Sequence, residues 1–418
     1  MNYKLKNRLS GIAFLSALLA SCFAQEFSYS GKLSYHVSPA YGIHDSDLKG
    51  DYVEDKLMLE GEGKYYSGDC MFYADGVLCF DRLENDFDNR LKEAWFDWNK
   101  GLFALRAGRQ IAGWGKADDL EVADVLCPKD NTSILTDYSS SRMGIDAVRL
   151  SLTGSTFSGD FYLIPHFTPA KLPESKKNLL YTCKFADAEL GKLEEPENKA
   201  QNSEFGIKLN ANFSAADISV YGFSGWDDEP VARYSVDEAG NVTVNGIYKR
   251  LWMVALDAAV PASDFVFRFE SAFFPQKYFS TLPESQFAGE KSYVQRNFVK
   301  GLAGIDWSPY PFTITAQYYA EYIDGSEEKL DAEKYDHQVT LSISRTFLNE
   351  SLEVEASGAL RLNDYDNAEQ VKISYAATDN LKLILQTDFF NSGKDDKPGF
   401  YGKYKNLDCC TLKAEFKF

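Results

Sequence analysis

From about residue 27 onward the chain alternates apolar and polar residues with a period of two. In "EFGIKLNANFS" the apolar set is Phe205, Ile207, Leu209, Ala211 and Phe213. In "FTITAQYYAEYI" it is Phe312, Ile314, Ala316, Tyr318, Ala320 and Tyr322, and in "LEVEASGALRL" it is every second residue from Leu352 to Leu362. Polar residues such as Thr313, Thr315, Gln317, Glu353 and Glu355 fall between them. A helix would scatter these charges around its circumference, whereas a strand sorts them onto one face. The closing octapeptide "TLKAEFKF" keeps the rhythm to its last residue: Leu412, Ala414, Phe416 and Phe418 share one face, and Thr411, Lys413, Glu415 and Lys417 the other. An unpaired sheet edge of this kind invites aggregation, so the pattern predicts a final strand that is paired.

The connections between these strands alternate between short and long. Short turns are predicted at 67–69, 99–101, 153–155, 214–216, 261–264, 308–311, 348–351 and 378–380. Long ones are predicted at 111–142, 166–203, 226–249, 276–295, 324–335 and 391–405. Short periplasmic turns set against long extracellular loops are the mark of an outer-membrane barrel. The expected fold is therefore all-β: a transmembrane antiparallel barrel of about eighteen strands, from Phe27 to Phe418, with both ends periplasmic. Sixteen is the alternative count, because 52–90 is weakly patterned. A soluble β-sandwich accounts less well for the loop asymmetry and for the lack of any domain break.

Composition agrees with this reading. Aromatics make up 15% of the chain, yet no internal run is apolar for the 18 or more residues that a membrane helix needs. A closed barrel tolerates unremarkable hydropathy, because only alternate residues face lipid. The formal charge of −18 argues against nucleic acid or polyanions as partners. Residues 1–24 read as a secretory signal peptide: Lys4, Lys6 and Arg8 precede an apolar run from Ile12 to Ala20 and a small-residue cleavage site after Ala24. The overlapping Leu19-Ala20-Ser21-Cys22 resembles a lipoprotein processing box. Residues 25–418 are then a single barrel domain in a bacterial outer membrane, with membrane lipid as its surroundings. The terminal Phe416 and Phe418 resemble the signal that the barrel assembly machinery recognises.

Candidate chemistry is sparse. The four histidines, His36, His44, His166 and His337, belong to no recognisable triad, so an enzyme is not expected. No glycine-rich phosphate cradle or zinc spacing occurs, and no cofactor is expected. The acidic runs 44–55 and 324–336 read as solvated loops, with calcium on oxygen ligands as the alternative. A disulfide between Cys70 and Cys79 across a hairpin end is possible.

One stretch is more specific. In "RLKEAWFDWNKGLFALRAGRQIAGWGKADDLEVADVLCPKD" (90–130), Ala94, Phe96, Trp98, Phe103, Leu105 and Ala107 would face lipid, and Glu93, Asp97, Arg106 and Gln110 the lumen. The positions Arg106, Gly108, Arg109, Gln110, Trp114, Gly115, Asp118, Asp124, Pro128 and Asp130 resemble a porin-like group of outer-membrane proteins related to the alginate-export family. Leu256, Asp257, Pro261, Arg268, Glu270 and Pro275 resemble the same group. That resemblance implies passage of a solute through a lumen, narrowed by loop 111–142 folded inward. Arg106, Arg109, Gln110, Trp114, Asp118, Arg149, Arg268 and Glu270 are then the constriction candidates, with Arg106 and Arg109 pairing with Glu93 or Asp118. The predicted lumen wall is mixed and slightly acidic, which fits a small-molecule solute better than alginate. If the loop stood outside instead, the long loops would form a surface for a host or matrix partner.

Overall fold

The computed structural model describes residues 27–43, 45, 49–116, 120, 122–135, 138–181, 188–325, 329–394 and 399–418. The leader with Cys22, and also His44, Asp118 and Cys183, lie outside the described residues. Twenty-one strands follow in chain order: β1 (Phe27–Pro39), β2 (Tyr52–Ser67), β3 (Cys70–Asp81), β4 (Asp86–Lys100), β5 (Phe103–Gln110), β6 (Ile145–Thr153), β7 (Phe157–Ile164), β8 (Glu189–Glu194), β9 (Glu204–Asn212), β10 (Asp217–Trp226), β11 (Val231–Val236), β12 (Val242–Ile247), β13 (Arg250–Ala262), β14 (Phe265–Ser280), β15 (Tyr293–Trp307), β16 (Phe312–Ile323), β17 (Tyr335–Phe347), β18 (Leu352–Arg361), β19 (Asn367–Ala376), β20 (Leu381–Asn391) and β21 (Cys409–Lys417). Eighteen of them form one antiparallel sheet closed by β1 on β21. The other three, β8, β11 and β12, make a small separate sheet inside the long connections.

The two faces of the wall invert the usual order of a soluble protein. On β13 the outward Trp252, Val254 and Leu256 are at least half exposed, while the inward Asp257 is fully buried. On β14 Phe267, Phe269 and Phe273 point outward and Glu270 inward, only 4% exposed. An apolar outer band around a polar interior is the solution that a lipid solvent imposes on a sheet.

The seam answers the question posed by the C-terminus. Gly31 and Phe418 exchange both backbone hydrogen bonds at 2.9 Å. From there the ladder runs from Lys32 opposite Lys417 to Val37 opposite Leu412. Ser38 and Thr411 share a hydroxyl hydrogen bond of 2.9 Å on the inner side of the same seam. The Phe418 ring lies over Gly31, where an added Cβ would meet the ring at 2.4 Å. An aromatic covering a cross-strand glycine fills space that glycine leaves empty.

Three sequence expectations need correction. Long and short connections do not alternate strictly: the outer turns at 82–85 and 362–366 are short. At the first of these, the Asp81 side chain accepts hydrogen bonds from the amides of Leu83 and Glu84, which suffices to close a tight turn. Sixteen strands is excluded: β2 and β3 pair without a register shift from Lys56 opposite Asp81 to Ser67 opposite Cys70, and Gly61, Gly63 and Gly76 take outward positions where an apolar side chain would mark the alternation. β4 carries an irregularity of its own. The β3–β4 ladder pairs Gly76 with Leu91 but Asp75 with Glu93, so Lys92 is an extra residue. That bulge shifts the inward set of β4 from even to odd positions. Lastly, Cys70 and Cys79 do not meet across a hairpin end: Cys70 faces Ser67 at the β2–β3 turn and Cys79 faces Met58. They are free cysteines near opposite ends of β3, roughly 30 Å apart at the rise of a strand.

Phe418→Ala is expected to weaken the seam by about 1 kcal/mol, the scale of a cross-strand aromatic pair. The measurement is the urea midpoint of the refolded barrel, followed by its heat-modifiable gel mobility; an unchanged midpoint would remove the ring's role at the seam.

Candidate functional site

The segment after β5 turns into the barrel. Gly108 prepares the turn: its φ is +126°, and a Cβ there would meet the Ala94 carbonyl oxygen at 2.3 Å. Two residues on, Gln110 is 1% exposed and donates from Nε2 to the carbonyls of Ala147 (2.9 Å) and Gly108 (3.3 Å), which ends the strand. Glu93 accepts the Ile111 amide at 2.8 Å.

Beyond this point Ala112, Trp114, Val122, Ala123, Leu126 and Cys127 pack in one apolar cluster with inward side chains of the wall, including Tyr162, Tyr221, Met253, Phe274 and Phe298. Trp114 sits 6.0 Å from the Tyr162 ring and 5.2 Å from that of Tyr221. The described residues of loop 111–142 therefore lie inside the barrel, against β7, β10 and β13–β16. This explains a signal available in the sequence: "LWMVALDAAV" (251–260) is apolar on both faces. A barrel strand of that kind needs something other than water on its lumen side.

Polar contacts fix the depth of the loop. The Glu270 carboxylate accepts the amides of Lys116 (2.9 Å) and Ala123 (2.8 Å). Gly115 donates its amide to the Tyr221 hydroxyl at 3.3 Å and has φ +85°. A Cβ on Gly115 would lie 2.4 Å from Glu270 Oε1, so the carboxylate rests directly on glycine backbone. Arg268 donates to the Lys116 carbonyl at 2.8 Å and pairs with Asp306 at 2.6 Å. Lys116 Nζ reaches Asp257 at 3.2 Å and the Asp217 carbonyl at 2.9 Å. Within the loop, Asp124 accepts the Trp114 amide (3.1 Å) and pairs with Arg142 (2.6 Å). Farther along, Asp130 pairs with Arg90 of β4. Burial works against its ionisation, but hydrogen bonds from Thr132 and the charges of Arg90 and Lys171 hold Asp130 below the usual carboxylate range.

The sequence candidates separate into three sets. Trp114, Arg268 and Glu270 meet in the loop anchor, and Gln110 stands at its root. Arg106 and Arg149 face the lumen side by side, as register partners of β5 and β6. Arg106 pairs with Asp97 at 2.6 Å, not with Glu93, and its guanidinium lies 3.6 Å from the Trp95 ring. Arg109 departs from its expected place: it shares a face with Phe103, Leu105 and Ala107, beside Asp146 at 3.8 Å, opposite to the face of Arg106. Asp118 lies outside the described residues. Lys116, Tyr221, Trp95 and Arg142 were missed; an aromatic at an inward strand position, as in "DISVYGFSGW" (217–226), was the available sign for Tyr221.

A cavity of about 1280 Å³ remains between the loop and the far wall. Thr313 and Ser344, near the periplasmic turns, line one end, and Asp336, Arg361 and Tyr401, near the outer rim, line the other. Wall charges are largely paired: Lys32 with Glu60 (3.0 Å), Lys92 with Glu60 and Asp75 (3.5 Å each), Lys300 with Glu321 (3.7 Å), Arg361 with Asp336 (3.0 Å). Of the described histidines, His36 lies on β1, His337 on β17 next to Tyr318 Oη (3.2 Å) and His166 in a loop against Asn198. They share no catalytic arrangement.

Solved structures of the same architecture exist. OccK3 (OpdO) of Pseudomonas aeruginosa superposes with a TM-score of 0.55 at 10% identity, over 94% of this chain and 95% of that one. OccAB3 of Acinetobacter baumannii gives 0.53 at 8%, over 95% and 100%. OccK2 (OpdF) of P. aeruginosa, crystallised with glucuronate, gives 0.52 at 9%, over 94% and 97%. The fold is that of an outer-membrane porin. No family model and no curated protein sequence matches the chain. The relation to the alginate-export group is therefore not carried by these comparisons, whereas the porin-like barrel is.

Two outcomes test the anchor. Glu270→Ala removes the acceptor of two buried amides, and exchange at Lys116 and Ala123 should accelerate about tenfold or more; unchanged protection in hydrogen–deuterium exchange would exclude the anchor. Burial pushes the Cys127 thiol up to about 12, so the folded barrel should leave it unlabelled by a maleimide at pH 8 and react only once urea releases the loop.

Proposed function

We propose that the protein is a passive outer-membrane channel for small polar solutes, narrowed by loop 111–142. The observation that supports this best is the combination of an apolar loop docked on one lumen wall with a polar cavity left open along the other. Such an arrangement needs no cofactor. The loop restricts size, the lining gives weak polar contacts, and the solute gradient sets direction. Trp114, Arg268 and Glu270 act as loop holders in this reading, with Gln110 at the root. Arg106 and Arg149 supply positive charge to the lumen beside the loop. The resemblance around 90–130 is kept as a motif for this inward turn, and Phe416 and Phe418 as the segment offered to the assembly machinery.

Arg106 is the informative residue for selectivity. Its removal leaves Asp97 without its cation, so single channels of Arg106→Ala in a planar bilayer under a salt gradient should shift their reversal potential toward cation preference. Arg109→Ala, on the other face, should leave the potential unchanged. A folded barrel that stays electrically silent, and is still silent after deletion of the loop, would end the channel reading and leave the outer loops as the binding surface for a partner.

A further inference from the structure

The inward faces of β16 and β17 differ from the rest of the wall. Thr313, Thr315 and Gln317 stand opposite Ser344, Ser342 and Thr340 in register, and all six line the open cavity. The next rung pairs Tyr319 with Gln338, and only above it, at Glu321 opposite Asp336, do charges resume. Four successive cross-strand rungs thus carry hydrogen-bonding side chains without a charge. Rungs on one strand repeat about every 6.6 Å, so the track runs roughly 20 Å along the passage. By contrast, the β4–β5 wall carries Asp97 opposite Arg106, and the β13–β14 wall Asp257 opposite Glu270.

From this track we infer that the passage selects neutral polyhydroxylated solutes, saccharides and polyols, over anions of the same size. The inference rests on the channel reading above and names its substrate class. Hydroxyl and amide side chains both donate and accept, as the hydroxyls of a carbohydrate do, so partners can be exchanged rung by rung without stripping a charged group of water. The track's side chains already hold partners that a solute hydroxyl can replace: Thr340 Oγ1 donates to Gln317 Oε1 at 3.4 Å, Ser342 Oγ to Glu355 Oε1 at 3.1 Å, Thr315 Oγ1 to Asp306 Oδ1 at 3.0 Å, Tyr319 Oη to Glu321, and Tyr401 Oη to Gln338 Oε1 at 2.9 Å. Tyr319, Phe400 and Tyr401 border the outer part of the cavity and offer ring surface to the C–H faces of a sugar.

Charge points the same way. Four of the cations lining this cavity are engaged by carboxylates: Lys300 by Glu321, Arg361 by Asp336, Lys277 by Asp227 and Arg142 by Asp124. Glu355 and Asp388 add negative charge at mid-wall, the latter held by the amides of Gln370 (2.8 Å) and Gln386 (2.9 Å). An anion entering here meets carboxylates and cations that already have counter-charges.

The test compares D-glucose with D-glucuronate, matched in ring and size and different in charge. Labelled uptake into proteoliposomes is measured for the full barrel and for a variant combining Thr315→Val, Thr340→Val and Ser342→Ala, with single-channel conductance in potassium chloride recorded on both. The expected result is faster entry of glucose than of glucuronate. In the variant, glucose entry should fall about threefold or more while salt conductance is preserved. Conducting channels that pass glucuronate as fast as glucose, that pass neither, or whose glucose rate is the same in the variant would overturn the inference while leaving the channel standing. Absence of conductance in the unaltered protein would instead overturn the channel itself. Should the triple variant fail to fold, Thr315→Val alone, at a position where the hydroxyl donates to Asp306 at 3.0 Å, carries the comparison with a smaller expected drop.

Discussion

Everything in this molecule depends on the requirement that a sheet in lipid leave no backbone group unpaired. The short register between β1 and β21 meets that requirement, and Gly31 and Phe418 complete it with a mutual pair of backbone bonds. Once the sheet is closed, alternation converts sequence directly into two environments. Even a fully buried carboxylate such as Asp257 then becomes an inside residue, while Val254, three positions away, is left to lipid. Closure also creates a new difficulty. The lumen of an eighteen-stranded barrel is wide, and what fills or lines it decides what the protein can do.

The chain fills part of that space with its own loop. Apolar residues on β7, β10 and β13–β16 would be wasted against water, and the loop's Trp114, Val122 and Leu126 cover them. Packing alone is non-directional, so it sets which wall the loop lies on but not its depth. Depth comes from the polar anchor: a buried carboxylate is costly unless its lone pairs are satisfied, and the amides of Lys116 and Ala123 each satisfy one oxygen of Glu270. Each such charge-assisted bond is worth about 1.5–3 kcal/mol, and both are lost together if the loop moves. Position is thereby defined more sharply than hydrophobic contact could define it.

How much of this was legible follows from the same physics. Strand positions, the periplasmic turns and the barrel class were readable because period-two alternation is enforced at every rung. Patterning failed where the backbone departs from simple alternation, as at Lys92, whose bulge reverses the inward set of β4. Arg109 is the opposite case. Alternation alone places it with Phe103, Leu105 and Ala107, and only the motif carried it to the constriction; the periodicity proved the better guide. Partners across the lumen, such as Glu270 with Lys116, lie 154 residues apart and leave no local trace. The inward loop was implied by the motif at 90–130, and the doubly apolar strand 251–260 is a second sign of it in the sequence.

The division of the lumen explains why charge is distributed as it is. On the wall beneath the loop, ions are fixed to one another or to loop backbone: Arg268 to Asp306 and the Lys116 carbonyl, Lys116 to Asp257. Ions used in this way are structural, because any solute that recruited them would have to break a pairing in a poorly hydrated place. At β16 and β17 hydroxyls and amides replace ions over four rungs, and Tyr319 at the outer end of that track also packs in the loop's apolar cluster. A solute moving along the track exchanges hydrogen bonds of nearly equal worth with water and with the wall. Passage requires that balance, since a lining that bound tightly would hold the solute instead of releasing it. In the proposed channel, the uncharged track is the part of the barrel that would oppose movement least, and the anchored loop is what would confine a solute to it.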